Sequence, residues 1–187
     1  MRFFPRKLTP VAAWKIVRFG PICYAIPMTV DMDFKSAQML AYRAMGCVTT
    51  EEITHWAMHM LETGYDTESL GILAGMSKWD SLFEAEQYLK TAFKELGWQI
   101  PEEQVVVRAY AINIALAILD GTTAPSEGSR ELVKLGDYYL WPAYLDEWCW
   151  ISEELDPETH HPIDDFNATV RNAARKLSAT TSPTDSR

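Results

Sequence analysis

Apolar residues recur at three- and four-residue spacing along the chain from Asp33 onward, which is the pattern of amphipathic helices. Between these segments stand residues that begin helices, such as the Thr49 and Glu52 capping box, and glycines that end them. Signals for strands are nearly absent. The pattern predicts helices over 34–44, 50–63, a short segment after Asp66 or Thr67 that ends near Gly75, 82–96, Pro101 to about 120, a segment from Pro125 through Leu135, one from Pro142 through Trp148, and about 164–177.

The helix predicted at about 102–119 differs from the others because it has no polar side. Only Arg108 and Asn113 interrupt its apolar residues between 105 and 119. A helix of this kind either spans a membrane or lies at the centre of a core, and this one is shorter than the roughly 18 apolar residues that a span needs. We therefore predict a compact all-α bundle of about seven or eight helices around this central helix.

The charged residues divide the chain unequally. The 187 residues include 17 basic and 26 acidic ones, for a net charge of −9. Residues 1–30 carry five basic residues and no acid, so the remaining 157 residues carry 12 basic and 26 acidic ones, a net of −14. The predicted organisation is a basic arm over 1–30, one helical domain over 31–178 and a disordered tail over 179–187. An acidic body argues against nucleic acid as a partner, since duplex binding relies on clustered basic residues.

Location and redox state are indicated by the same composition. Lys15 and Arg18 interrupt the apolar part of the arm, which disfavours a secretory signal. The three cysteines are too few and too far apart for a disulfide framework and indicate a reducing compartment. We expect a cytoplasmic protein without a membrane partner.

A pair of histidines is the candidate for metal binding. His55 and His59 are spaced i and i+4, so both imidazoles can reach one zinc ion from one helix face. His160 and His161, in a proline-bounded loop, are the other histidines. On a helical wheel, however, His55 and His59 share a face with glutamates, opposite the apolar face, so a solvated polar face is the favoured interpretation. No cofactor is expected, with zinc at His55 and His59 as the alternative.

A tryptophan among acids is the candidate for partner binding. Trp150 falls almost opposite Trp148 on a helical wheel, and the residues three and four positions away are all acidic: Asp146, Glu147, Glu153 and Glu154. This arrangement suits an Arg or Lys side chain, through salt bridges and cation–π contact. Three alternatives stay open: another part of the same chain, such as its basic arm, covers Trp150; Trp150 is a single exposed aromatic residue, as is common on protein surfaces; or an external partner binds it. A homodimer in which the arm of one subunit meets the acidic face of the other is a further possibility.

Motifs of catalysis are not found in the sequence. It contains no glycine-rich phosphate loop, G-x-S-x-G elbow, H-E-x-x-H or Cys-x-x-Cys. The stretches EEITHWAMHMLETGYDTESLGILAG and ILDGTTAPSEGSRELVKL resemble small all-helical bacterial proteins of uncharacterised function, some of them encoded near toxin or defence genes. That resemblance implies a bacterial, cytoplasmic interaction protein and carries no catalytic residues. The sequence favours a non-catalytic protein of immunity or regulatory type that binds a basic protein partner, with a metal-binding or metal-dependent hydrolytic bundle as the alternative.

Overall fold

The computed structural model describes residues 32–155 and 165–179, which fold entirely as helices and turns. The predicted all-α class is confirmed, and the described residues contain no β-strand. The helices in this part of the chain are α1 (Phe34–Ala44), α2 (Thr50–Glu62), α3 (Glu68–Ala74), α4 (Leu82–Glu95), α5 (Glu103–Asp120), α6 (Pro125–Tyr138), α7 (Asp146–Leu155) and α8 (Phe166–Ala179), with a short 3-10 helix at Ala143–Leu145 before α7. The predicted arm, and the tail beyond Ala179, lie outside the described residues.

Local signals set most helix ends where the sequence predicts them. The capping box of α2 is complete, since the Glu52 N–H donates to Thr49 Oγ1 and the Thr49 N–H donates to Glu52 Oε2. These bonds satisfy backbone donors that the first turn would otherwise leave unpaired. Glycine with positive φ follows α2 at Gly64 and α5 at Gly121. Such a backbone conformation is tolerated best by glycine.

Two proline-based predictions are wrong. Pro101 does not stand at the first helical position, because Glu102 is the N-cap and α5 begins at Glu103. Pro142 is not the first residue of a helix that runs through Trp148; it has the extended ψ of 145° and caps the 3-10 helix, and α7 begins only at Asp146. Proline fixes φ near −65° but leaves ψ open, so it is compatible with a helix start and with an extended residue alike.

The all-apolar helix lies at the centre of the fold, as predicted. Helix α5 packs against α1, α6 and α8, and side chains over about half of its circumference, such as Val106 and Ala115, are buried, whereas Leu116 on the other side is 47% exposed. Asn113, one of its two polar interruptions, donates from Nδ2 to the backbone oxygen of Met32 at 2.9 Å. This bond gives the amide a partner and fastens the residue that enters α1 to the central helix.

A second group of helices is built around α2. Helix α2 contacts α1, α3 and α4, and its buried Trp56 stacks on Phe93 of α4 with ring centroids 5.5 Å apart. The Trp56 indole N–H donates to Ser36 Oγ of α1 at 2.9 Å. A buried indole needs such an acceptor to avoid the cost of an unpaired donor. The bond therefore fixes the position of α2 relative to α1.

The connection between α6 and α7 contains an unusual turn. Leu140 and Trp141 both have positive φ, 55° and 53°, which in the described part of the chain occurs at no other non-glycine residue. The Trp141 N–H donates to Gly136 O at 2.8 Å, and the Trp141 ring lies directly on Gly136. This contact holds the turn that delivers the chain to α7.

Length and apolarity of the helices also bear on membranes. None of the helices in the described ranges is long and apolar enough to cross a bilayer.

Candidate functional site

Helix α7 displays the tryptophan that the sequence marks as a candidate. Leu145, Trp148 and Ile151 are buried against the core, and at about 100° per residue this places Trp150 on the opposite side. Trp150 is 72% exposed, whereas Trp148 is 1% exposed. Helix α7 packs against α6 and α8, so the side chain of Trp150 is held on a supported helix rather than on a loop. The predicted orientation of the two tryptophans is confirmed.

The acids around Trp150 do not all share one environment. Asp146 is exposed in the first turn of α7. Glu147 is partly buried, and its Oε1 accepts from Lys176 Nζ of α8 at 2.6 Å. The backbone of Glu153 and Glu154 belongs to α7, but their side chains lie outside the described residues. The structure thus brings Trp150 and Asp146 together on one exposed surface, which we call the α7 surface, and ties Glu147 to α8.

The two histidines of α2 are placed differently from one another. His55 is exposed, as the helical wheel predicts. His59 Nε2 lies 3.4 Å from Asp33 Oδ1, and the same carboxylate oxygen caps α1 by accepting from the Ser36 N–H at 3.0 Å. Among the residues that the structure describes, no group of three His, Cys, Asp or Glu side chains is arranged to hold a metal ion. His160 and His161 lie outside those residues, and zinc binding at His55 and His59 stays a prediction.

A cleft of about 260 Å³ lies on the surface between α1 and α2. Its floor contains the buried Met39 and Trp56, and its rim carries the polar side chains of Lys35, Gln38, Tyr42, Glu52 and His55. Glu52 Oε2 is engaged in the capping box with Thr49. The cleft therefore joins apolar and charged groups, but its one carboxylate already serves the start of α2.

A tyrosine–carboxylate cluster lies beside this cleft. Tyr42 and Tyr110 both donate from their hydroxyl groups to Glu131 Oε2, at 2.9 Å and 3.3 Å. Burial raises the pKa of Tyr110 far above its ordinary value, and the negative charge of Glu131 adds to the rise. Burial also raises the pKa of Tyr42. Both hydroxyls stay protonated and donate to Glu131, so the cluster joins α1, α5 and α6 structurally.

An exposed apolar cluster at the start of α4 was missed by the sequence reasoning. Trp79 is 85% exposed, Leu82 40% and Phe83 74%. We call these three residues the Trp79 patch. The sequence interpretation placed Leu82 among the apolar positions of its helix. Trp79 lies in the turn before α4, so no helical spacing relates it to Leu82 and Phe83, and only the nearness of the three residues in the sequence could have revealed the patch.

The loop below the Trp79 patch is held in place by hydrogen bonds. The Ser77 N–H donates to Asp80 Oδ2 at 2.6 Å, and the Asp80 N–H donates to Ser77 O at 3.0 Å. Thr50 Oγ1 of α2 donates to Asp80 O at 3.1 Å, and Thr54 Oγ1 donates to Met76 O at 3.4 Å. The patch is therefore presented on a fixed turn that is anchored to α2.

Comparison with known proteins adds no relative to this geometry. No protein-family model, no curated protein and no solved structure matches the chain.

Proposed function

We propose that this chain is a non-catalytic interaction protein, of the immunity or regulatory type, that binds a basic protein partner through the α7 surface. The observation that carries the proposal is the 72% exposure of Trp150 beside the exposed Asp146. Large aromatic side chains are concentrated at the energetic centres of protein interfaces. A tryptophan on a supported helix loses little conformational freedom when it binds.

Charge favours a basic partner. The chain outside residues 1–30 carries a net charge of −14, and such a field increases the association rate of a basic protein. At the α7 surface, an Arg or Lys of the partner can lie over the indole of Trp150 while it pairs with Asp146. Glu147 can also take part, because an Arg or Lys of the partner can compete with Lys176 for the Glu147 carboxylate and replace it in the salt bridge.

The test begins with affinity capture from the native cell extract, using the wild type and the variants Trp150→Ala and Asp146→Asn. Trp79→Ala serves as the matched control, because Trp79 is also a highly exposed tryptophan but lies in the turn before α4. A captured protein that supports the proposal is basic, is still captured by the control and is captured less by either α7 variant than by the control. Identification is followed by calorimetry with the purified partner.

In calorimetry we expect Trp150→Ala to weaken binding about 30-fold, which corresponds to roughly 2 kcal/mol, the usual threshold for a dominant interface residue. Asp146→Asn should weaken binding less and should reduce its dependence on salt. A partner that is acidic, or one whose affinity is the same for wild type and both α7 variants, would contradict the proposal.

A further inference from the structure

The Trp79 patch is a second exposed surface, on a different group of helices from the α7 surface. Helix α4, which carries Leu82 and Phe83 and follows the turn that carries Trp79, packs against α2 and α3, whereas α7 packs against α6 and α8. Three large apolar side chains within five residues, at 40% to 85% exposure, are an unusual feature of a water-soluble surface. The hydrogen bonds from Ser77, Asp80 and Thr50 hold the patch rigidly. A rigid aromatic cluster binds with little ordering cost.

The charges beside the patch identify what it fits. Lys78 lies on its amino-terminal side, with Nζ 5.0 Å from the centroid of the Trp79 ring, and Glu84 lies on its carboxyl-terminal side. Both residues are exposed. When a second copy is placed against the patch in antiparallel orientation, Lys78 of each copy faces Glu84 of the other. The patch is thus complementary to itself in charge as well as in apolarity.

We propose that the Trp79 patch is the contact of a two-fold symmetric homodimer of this chain. A two-fold interface uses the same surface on both subunits, so each contact occurs twice. Trp79 and Phe83 of the two copies form its apolar centre, and two Lys78–Glu84 pairs flank that centre. This interface is independent of the proposed function and differs from the pairing of arm and acidic face considered from the sequence.

The size of the patch predicts a dimer of modest affinity. Two exposed aromatic side chains contribute roughly 300–500 Å² per copy, at about 150–250 Å² each. A stable interface buries about 800 Å² per partner, so the surrounding surface of α4 must supply the rest. We therefore expect an equilibrium between monomer and dimer that depends on protein concentration.

The first experiment measures mass against concentration by sedimentation equilibrium, using the full chain at up to about 1 mM, the concentration range of weak association. The wild type should approach twice the mass of the 21.3 kDa chain. Trp79→Ser and Phe83→Ser should each raise the dissociation constant at least 10-fold. Trp150→Ser, which removes an equally exposed tryptophan elsewhere, should leave it unchanged. Circular dichroism identifies any variant that is not folded.

The second experiment tests the antiparallel orientation through charge reversal. Alone, Lys78→Glu places glutamates opposite one another at both flanks, and Glu84→Lys places lysines opposite one another, so both variants should dimerise more weakly than the wild type. An equimolar mixture restores a pair of opposite charges at both flanks. We expect the mixture to form a heterodimer more tightly than either variant forms a homodimer, and the effect to decrease with salt.

Three results would overturn the proposal. The first is a wild type that stays monomeric over the whole concentration range. If this monomer binds zwitterionic lipid vesicles through Trp79, the patch is a lipid contact and not a dimer contact. The second is a dimer that persists in Trp79→Ser but is lost when residues 1–27 are removed, which would assign the contact to the arm. The third is a mixture of the two charge variants that associates no better than each variant alone.

Discussion

Gly136 provides a sharp test of how the α6–α7 turn is held. This residue lies inside α6, and a Cβ added to it would stand 2.4 Å from Cε3 and Cζ3 of the Trp141 ring. No side chain fits at that distance unless the ring moves. The ring has little freedom to do so, because the Trp141 backbone has a φ of 53° and donates to Gly136 O at 2.8 Å. We predict that Gly136→Ala destabilises the protein, although alanine is the better helix former.

The magnitude follows from two opposing effects. Replacing glycine by alanine within a helix normally stabilises by about 0.5–1 kcal/mol. Forcing an extra methyl group into a packed contact costs about 1–3 kcal/mol. The expected net change is a loss of about 0.5–2 kcal/mol in the free energy of unfolding, and each kcal/mol lowers Tm by about 2–4 °C for a chain of this length.

Gly71 is the matched control, because it also lies inside a helix, α3, and no heavy atom is found within 4 Å of its added Cβ. Gly71→Ala should therefore stabilise by about 0.5–1 kcal/mol. Urea unfolding and scanning calorimetry of the wild type and both variants give the two free energies directly. A Gly136→Ala variant that is as stable as Gly71→Ala would refute the close contact between Gly136 and Trp141.

Three further predictions concern strain, alkaline pH and metal. Leu140 is 87% exposed and has a φ of 55°, a left-handed conformation that costs a leucine about 1–2 kcal/mol. Leu140→Gly removes this strain and should raise the free energy of unfolding, measured in urea titrations, by about 0.5–1 kcal/mol. A loss of stability would show that the Leu140 side chain packs in solution. Because burial raises the pKa of Tyr110, the folded protein keeps the proton of this hydroxyl at a pH above about 10, where the unfolded chain releases it. The contribution of Tyr110 to the free energy of unfolding is therefore complete below about pH 10 and declines above it. Tyr110→Phe should make the decline between about pH 9 and about pH 11 shallower, and equal slopes in the two proteins would contradict this assignment. Zinc calorimetry should give the same heat for wild type and the His55→Ala, His59→Ala double variant, since no third His, Cys, Asp or Glu among the described residues is arranged to complete a metal site with them. A heat seen with wild type alone would establish the metal site.

The helices were predictable because their signals are local. The Thr49 capping box and Gly121 act on the backbone within four residues of themselves, so their effect does not depend on the rest of the fold. The packing of α5 against several helices was equally predictable, because a helix without a polar side buries much of its surface against its neighbours, but the 47% exposure of Leu116 was not. The error at Pro142 arose where ψ, which proline does not restrict, decided between a helix start and an extended residue, and the error at Pro101 is a shift of the helix start by two residues, to Glu103.

The candidate surfaces were predictable only in part, because exposure depends on neighbours that are distant in sequence. The outward position of Trp150 followed from the helical phase of Trp148 and Ile151, which are both buried. The pairing of Glu147 with Lys176 joins residues 29 positions apart, and no local pattern indicates it. Leu82 continues the apolar spacing of α4, yet it is 40% exposed, whereas Ala85 and Leu89 on the same side of that helix are buried.

The positions of the two surfaces have a consequence for binding strength. The Trp79 patch belongs to the group of α2, α3 and α4, and the α7 surface belongs to the group of α6, α7 and α8. A homodimer joined through the Trp79 patch therefore leaves both α7 surfaces available. Such a dimer would bind an oligomeric basic partner at two points, and the second contact would form at a high effective concentration. Disruption of the patch by Trp79→Ser would then weaken binding to an oligomeric partner but leave binding to a monomeric partner unchanged, which separates dimerisation from direct partner contact.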